Sequence, residues 1–514
     1  MNAPRAPWHD PARAAKLQHL DRDLTADVVV IGAGIAGLSC ALELAERGRK
    51  VVVLEREAAA SGESGATTAH LTAILDTRYF ALANMHGAEA ARAAATSHLR
   101  GIAHLERVAN AYRIECGFRR VPGFLCAVGE AQTKLLEREA RAASEAGLSA
   151  QLVRGAPLYP SADAALHLPH QAQFDPGAFL EGVVHALHDK GVPIYAPVTA
   201  HSFDAESATE QVGVRTSDGH SIRANHVIVA THTPINDVAV LHSKQAAYRT
   251  YALGLAIDEP IDALCWDLDE PYHYLRTALD STTGQPLLIV GGEDHRVGQE
   301  LDTAQHWRRL EDWARERFPS VGDVVRQWSG EVFETSDGLA FIGRNPGQER
   351  IFVLTGVSGN GLSYAGLGAE LIADLVQGIS NPFEKLYEPA RKPLSLGAIG
   401  RFVKDALNTA EQYSDWVGPA DAASAADVAP GEGAVLRRGV TRVAVYVDPQ
   451  GVAHELSASC PHLGGVVAWN NAEKSWDCPC HGSRFDCYGK VLAGPAVSDL
   501  QPIADIRKKV GKAS

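Results

Sequence analysis

The first regular feature of the chain is an apolar run, Val28-Val29-Val30-Ile31, leading into Gly32-Ala33-Gly34-Ile35-Ala36-Gly37. Helical spacing follows from Leu38 to Arg47, then a second apolar run, Val51 to Leu54, closed by Glu55. This order predicts strand, tight turn, helix and strand. Ala88 to Ala111 predicts a long alanine-rich helix, and Phe174-Asp175-Pro176-Gly177 opens an amphipathic helix running to Lys190. Gly191 to Tyr195 and Val227 to Ala230 predict further strands, and alternating strands and helices give an α/β architecture. Trp266 to Gly292 is rich in aromatic residues and strand formers, which predicts an antiparallel sheet over a pocket. The small, polar segment Gly418 to Gly433 predicts a linker. Beyond it, Val440 to Val447 alternates apolar and polar positions, Asp448-Pro449-Gln450-Gly451 makes a turn, and Val452 to Ser457 continues as strand. The expected organisation is residues 1–417, a linker over 418–433, and a small β domain over 434–514.

Composition narrows this picture in three ways. With 514 residues, 46% hydrophobic and 21% charged, the chain is long enough for two or three ordinary globular domains. A formal charge of −14 argues against polyanions, so no nucleic-acid partner is expected. The long uncharged stretches, Val28 to Leu42 and Ile351 to Ala369, are broken by glycines and polar residues, and Met1 to Asp27 has no basic flank leading into an apolar run. No membrane association is expected, and the expected location is cytoplasmic.

The glycine pattern has a physical reading. Gly32 makes the turn, Gly34 lets a pyrophosphate approach the backbone, and Gly37 lets the helix lie close on the sheet. The helix N-terminus then faces the phosphates, and Glu55 stands where a carboxylate can accept from the adenosine ribose hydroxyls. Strand, helix and acid together predict dinucleotide binding; the plain alternative is a glycine-rich turn in any α/β sheet. No second unit of this kind follows, which argues against a separate nicotinamide domain.

Cys40, Cys116, Cys126 and Cys265 are scattered, whereas Cys460, Cys478, Cys480 and Cys487 crowd toward the C-terminus, a distribution that suits metal chemistry in a reducing compartment. Cys460-Pro461-His462 and Cys478-Pro479-Cys480-His481 offer one Cys-His pair from each of two loops. Two thiolates can hold one iron and two imidazoles another, the ligand set of a Rieske [2Fe–2S] centre. A Cys2His2 zinc site and a structural cysteine cluster are the alternatives; zinc fingers pair Cys with Cys and His with His.

CPHLGG and CPCHGSRFD resemble the two cluster-binding loops of Rieske proteins. The resemblance implies that Cys460 and Cys478 bind the inner iron, and His462 and His481 the outer. Many relatives join a second cysteine of each loop by a disulfide; here Cys480 is present but its matching position is Gly465, so the loops must be held by packing. Ser483 is available as a donor toward the cluster, while Phe485 stands where high-potential members carry tyrosine. That implies a lower potential, within the range of roughly −150 to +300 mV for Rieske centres.

Residues 24 to 390 resemble FAD-dependent oxidoreductases of the D-amino acid oxidase type, the family of glycine and sarcosine oxidase. The resemblance rests on GAGIAG, SGESGATTAHLT (Ser61 to Thr72), Asp175-Pro176, WSGEVFETSDGLAFIG (Trp328 to Gly343) and TGVSGNGLSYAG (Thr355 to Gly366). It implies FAD held along Gly32, Ala33, Gly34, Ile35, Ala36, Gly37, Glu55 and Arg56, and along Ala66, Thr67, Thr68, His70 and Leu71. It also implies contacts from Val198, whose backbone meets the adenine, and from Ala230, Thr231 and Asp337. Gly359, Asn360, Gly361 and Leu362 fall at a helix N-terminus, where the dipole can stabilise an anionic reduced flavin. Some relatives tether FAD through a histidine near the position of His70; non-covalent FAD is the expectation.

The expected fold is an α/β FAD-binding Rossmann-type domain with an antiparallel-sheet substrate domain, plus a small all-β Rieske domain. The implied activity is oxidation of a C–N bond of an amine or amino acid, with electrons passed to the Rieske [2Fe–2S] cluster and on to an external one-electron acceptor or oxygen. Tyr272-His273-Tyr274-Leu275-Arg276 resembles the glycine oxidase strand that ends in a carboxylate-binding arginine. This makes Arg276 the substrate-anchor candidate, with Tyr272 and Tyr274 beside it; a surface ion pair at a strand end is an equal reading. His273 and His295 read as strand histidines satisfied by neighbours. Glu181, His185 and His188 share a helix face opposite the apolar stripe, which reads as a solvated face rather than an iron site. Two functional alternatives stand beside the main one: an electron-transfer or redox-sensing protein without small-substrate turnover, and a plain oxidase whose cluster is structural.

Overall fold

In a computed structural model of the chain, the described residues are 6–8, 17–204, 211–236, 241–300, 302–392, 396–416 and 418–503. Much of the N-terminal stretch read for a leader, residue 417, and the end of the expected C-terminal domain, 504–514, lie outside them.

Leu24–Ile31 is an inner strand of the first sheet. Val51–Leu54 and Ile194–Tyr195 continue the sheet on one side, and Ser221–Val229, Ile351–Thr355 and Phe341–Arg344 on the other. All these neighbours run parallel except the outermost pair, Phe341–Arg344 with Ile351–Thr355. A parallel sheet covered on both faces explains why the strand reads as continuous hydrophobics: Val28 and Val30 join one core, Val29 and Ile31 another. Helix Ile35–Glu46 packs against helix Gly361–Val376, which also receives the long helix Ala88–Ala111. Helix Pro176–Asp189 starts at Asp175, whose Oδ1 accepts from Ala178 N at 2.9 Å.

The second sheet orders Val324–Thr335, Gln245–Ala256, Pro286–Arg296, His273–Leu279, Leu264–Trp266, Arg119–Ala127, Ala164–Gln173 and His70–Leu71. It is antiparallel apart from Leu264–Trp266 beside Arg119–Ala127. The aromatic stretch read from sequence supplies three of its strands. The C-terminal part is all β: Gly433–Arg438, Thr441–Val447 and Ala453–Ser457 form one sheet, and Ala468–Asn470, Ser475–Asp477, Arg484–Asp486 and Val491–Ala493 another. Within 418–433, Asp421 exchanges hydrogen bonds with Val435, and a capping box joins Ser424 to Asp427, so this segment lies along the first of these strands.

A buried ionic network joins the C-terminal part to the second sheet. Glu473 accepts from Arg249 at 2.5 and 3.1 Å, pairs with Arg484 at 3.0 Å, and also receives the Ser329 hydroxyl. Arg484 reaches on to Asp477 at 3.0 Å. Beside this network, Thr303 Oγ1 donates to Asn470 and lies within hydrogen-bond reach of Asn471. Burial opposes the Glu473 charge, but Arg249 and Arg484 overcome it and hold the carboxyl down at about 2. A depressed carboxyl contributes stability that is present above its ordinary value and lost as pH falls through the folded value. Glu473→Gln is expected to lower stability by about 3–5 kcal/mol, because two arginines lose a buried partner. Thermal unfolding at neutral pH checks this, and the wild-type advantage should shrink below about pH 4 as Glu473 protonates.

Candidate functional site

A cleft of about 2000 Å³ of free space, part of it open to solvent, runs from the glycine turn to the second sheet. At the turn, a Cβ on Gly37 would fall inside the carbonyl oxygen of Gly32, so the helix can lie this close only as glycine. Glu55 lines the cleft while its Oε2 accepts from Ala33 N at 2.7 Å and its Oε1 from Glu57 N at 2.9 Å. The acid therefore ties the second strand to the turn as well as facing the cleft. Ser64 Oγ accepts from Ile35 N at 2.9 Å and also lines the cleft. Ser64 lies inside the SGESGATTAHLT loop, but nothing in the sequence shows it reaching the helix start.

Gly32, Gly34, Ile35, Ala36, Glu55, Arg56, Ala66, Thr67, Thr68, His70, Val198, Ala230, Thr231, Gly359, Gly361 and Leu362 all line this one cleft, as do Tyr272 and Tyr274. Ala33, Gly37, Leu71, Asn360 and Asp337 are not among its lining residues. Asn360 Nδ2 donates to Ile74 O at 2.9 Å, and Asp337 forms a two-pronged pair with Arg391 at 2.7 and 2.8 Å. Asp76 takes up Gly359 N at 2.7 Å and the Ser358 hydroxyl at 2.6 Å, so part of the expected helix-terminal donor set already meets a carboxylate.

His70 is a buried wall of the cleft. Its ring nitrogens meet Thr68 Oγ1 at 3.2 Å and Leu275 O at 3.1 Å, and burial, with Arg276 nearby, lowers its pKa to about 3. The Tyr274 hydroxyl bonds Thr250 Oγ1 at 2.9 Å.

Arg276 is not in the cleft. It is buried behind the sheet, donates to Ala69 O at 2.7 Å and Phe174 O at 3.3 Å, and lies over the Trp8 ring. Burial pulls its pKa down to about 9. Carbonyl acceptors have replaced the expected carboxylate partner, because Arg276 sits in the middle of strand His273–Leu279 with its side chain buried rather than at a solvent-facing strand end. His185 and His188 are exposed on their helix, consistent with a solvated face.

The cysteine-histidine centre forms where the two C-terminal loops meet. Cys460 and Cys478 are both 2% exposed, with thiols in mutual hydrogen-bond reach, and the His462 and His481 rings stand perpendicular, 5.1 Å apart. Both ring nitrogens of His462 are buried without a hydrogen-bond partner, which leaves one open to a metal. Burial and His242 keep His462 and His481 neutral, lowering them to about 3 and 4. A Cβ on Gly465 would lie 2.6 Å from Cys480 Sγ, so the sulfur packs against the position where a bridging cysteine would stand. Ser483 directs a hydrogen bond at Cys460 and accepts Ala496 N at 3.0 Å.

Tyr413 and Trp416 cover the first loop by donating to Leu463 O and Gly464 O, each at 3.0 Å. Burial and the neighbouring thiols push Tyr413 up to about 12. Neither residue belongs to a recognisable motif.

Cleft and centre are adjacent. Leu492, Ala493, Gly494, Ala496 and Val497 line the cleft, and Arg56 donates to Leu492 O. His232 lines the cleft with its ring 4.9 Å from Phe333, and a Cβ on Gly482, next to His481, would lie 3.1 Å from Phe333 Cζ. The His242 ring stands 4.8 Å from that of His462 and 5.8 Å from that of His481.

The chain belongs to the DAO family of FAD-dependent oxidoreductases, whose model matches residues 27–375, and carries a Rieske [2Fe–2S] domain matched over 419–504. A protein of Bacillus subtilis (strain 168), named as the Rieske 2Fe-2S iron-sulfur protein YhfW, is 28% identical over 505 residues, spanning 98% of both chains. The cytochrome b6-f complex iron-sulfur subunit 1 of the Cyanophora paradoxa cyanelle is 38% identical over 134 residues, 26% of this chain and 53% of its own. This chain therefore spans about half the length of that subunit. Among solved structures, glycine oxidase from Geobacillus kaustophilus superposes with a TM-score of 0.60 at 20% identity, covering 72% of this chain and 99% of that one. L-amino acid deaminase from Proteus vulgaris gives 0.59 at 18%, covering 75% and 98%.

The residues fit both cofactors. The close-packed glycine turn and the long cleft suit FAD, and two buried thiols with two neutral imidazoles suit the Rieske cluster. No described helix is long and apolar enough to cross a membrane.

Two outcomes follow. His481→Ala should abolish the Rieske electron paramagnetic resonance signal of the reduced protein while leaving FAD absorbance in place. Gly465→Cys should bond with Cys480, read as the loss of two titratable thiols after oxidation.

Proposed function

We propose that the protein oxidises a C–N bond of an amine or amino acid and passes the electrons one at a time to its own Rieske cluster. The observation that carries the reading is the shared wall: Leu492, Ala493, Gly494, Ala496 and Val497 of the Rieske domain line the cleft that holds the glycine turn. Bound FAD supplies a two-electron acceptor, and the cluster a one-electron acceptor.

The chain's own residues do the rest. Tyr272, Tyr274, Trp266 and His70 wall the substrate end of the cleft, orienting a reactant and excluding water. His232 and Phe333 fill the space between cleft and cluster loop with close-packed rings. Solved structures named as amino acid oxidases and deaminases support a nitrogen-bearing small molecule as substrate. Cys40, Cys116, Cys126, Cys265, Cys480 and Cys487, outside the expected ligand set, are free thiols, which supports action in a reducing compartment such as the cytoplasm.

Anaerobic stopped-flow mixing of holoprotein with amines and amino acids tests the reading. The expected result is bleaching of the flavin band followed by bleaching of the cluster band. If no compound reduces the flavin while a reduced carrier protein fills the cluster first, the enzyme reading falls and an electron-transfer role replaces it.

A further inference from the structure

The loop that follows strand Ser221–Val229 serves both cofactor sites. Ala230, Thr231, His232 and Ile235 line the cleft, while Thr233 and Pro234, between them, hold the ring of His242. His242 opens the short turn His242–Lys244, which leads into strand Gln245–Ala256 of the flavoprotein, and it is 3% exposed. Its Nε2 lies 3.0 Å from Pro234 O, and because a carbonyl can only accept, this nitrogen carries the proton. Nδ1 is then the acceptor that faces the Thr233 hydroxyl, at 3.4 Å. The ring is thereby fixed in one tautomer and one orientation.

That orientation sets His242 across both imidazoles of the Rieske ligand set. Its ring stands 4.8 Å from the His462 ring at 72° and 5.8 Å from the His481 ring at 66°. The His462 and His481 rings are themselves perpendicular and 5.1 Å apart, so three imidazoles pack edge to face, and the third comes from the other domain. Tyr413 and Trp416 cover the first cluster loop from its backbone side, and His242 covers the imidazole side. Iron takes one nitrogen of each ring, and the other nitrogen of a metal-bound histidine ordinarily donates to a carboxylate, a carbonyl or water. Both nitrogens of His462 are buried with no partner, so water is kept from this ligand.

Exclusion of water has a definite sign. With two thiolates, two sulfides and neutral imidazoles, the oxidised cluster is formally neutral and the reduced cluster carries one negative charge. Water stabilises the charged form, and a dry, apolar surround penalises it. A cover over the imidazole side therefore lowers the reduction potential, which is how the shell around a metal site commonly tunes it. Because the His242 N–H is given to Pro234 O, the cover acts as a ring and not as a hydrogen-bond donor to the centre.

We infer that His242 is a positioning residue of the Rieske centre, supplied by the flavoprotein, whose ring shields the His462 ligand from water and holds the cluster potential down. The domain that houses the flavin thus tunes a centre whose ligands all come from the other domain. This goes beyond the C–N oxidation reading and does not depend on which substrate reduces the flavin.

The test is redox titration of the purified holoprotein, followed by the Rieske electron paramagnetic resonance signal, in three variants. His242→Ala removes the ring, His242→Asn removes the ring but keeps a donor for Pro234 O, and His242→Phe keeps a ring but loses the donor. His242→Ala and His242→Asn are expected to raise the midpoint potential and to shift the resonance positions, and His242→Phe to leave the potential close to wild type. Cluster spin count and FAD content report folding, and if His242→Ala loses its cluster the other two carry the test. A potential unchanged in His242→Asn, or raised as far in His242→Phe as in His242→Asn, overturns the inference. Wild-type protein moved into D2O supplies a measurement that needs no variant: electron spin echo modulation of the reduced cluster should show no deuteron at His462 beyond that of its own ring nitrogen. A water deuteron there overturns the inference as well.

Discussion

Everything that makes this chain one redox unit depends on four charges removed from water between two sheets: Arg249, Glu473, Arg484 and Asp477. Two cations and two anions balance, and this is the condition under which such a group can be buried. Glu331, 2% exposed and with both oxygens unpartnered, sits in the same neighbourhood and is pushed well above the ordinary carboxyl range by burial and by Glu63. Because Glu473, held by Arg484 within the C-terminal part, also takes Arg249 and the Ser329 hydroxyl from the flavoprotein, the Rieske domain is seated on the flavoprotein at this point. That seat brings Gly482 against Phe333.

The local structure around both candidate cofactor sites was legible in the sequence. Strand, turn and helix around Gly32 to Gly37 are forced by sterics between neighbours, and the candidate ligand pairs Cys460-His462 and Cys478-His481 are short-range patterns that the fold brings together. The helix Ala88–Ala111 has the bounds its composition implies. Residues that act across long sequence separations were not legible. Ser64 lies inside a motif that gives no sign of its contact with the helix start, while Asp76 at Gly359, and Tyr413 and Trp416 over the cluster loop, belong to no motif, because each is defined by what folds back onto it.

Arg276 shows the opposite failure. Its strand resembles one that ends in a substrate anchor, and the sequence pattern was followed to the correct strand. What the pattern could not carry was the acceptor: two main-chain carbonyls, Ala69 and Phe174, contributed from 207 and 102 residues away. One strand over, a single inserted residue at the Glu293 bulge sets which way Glu293 and Asp294 face, and alternation counted from the sequence gives no sign of it.

The segment Leu492 to Val497 closes the Rossmann end of the cleft although it is separated from Arg56, its partner there, by more than four hundred residues. The cofactor compartment is thus unfinished until nearly the last part of the chain has folded and docked. Enclosure of the flavin compartment thus depends on docking of the domain that carries the cluster, rather than on the cluster itself.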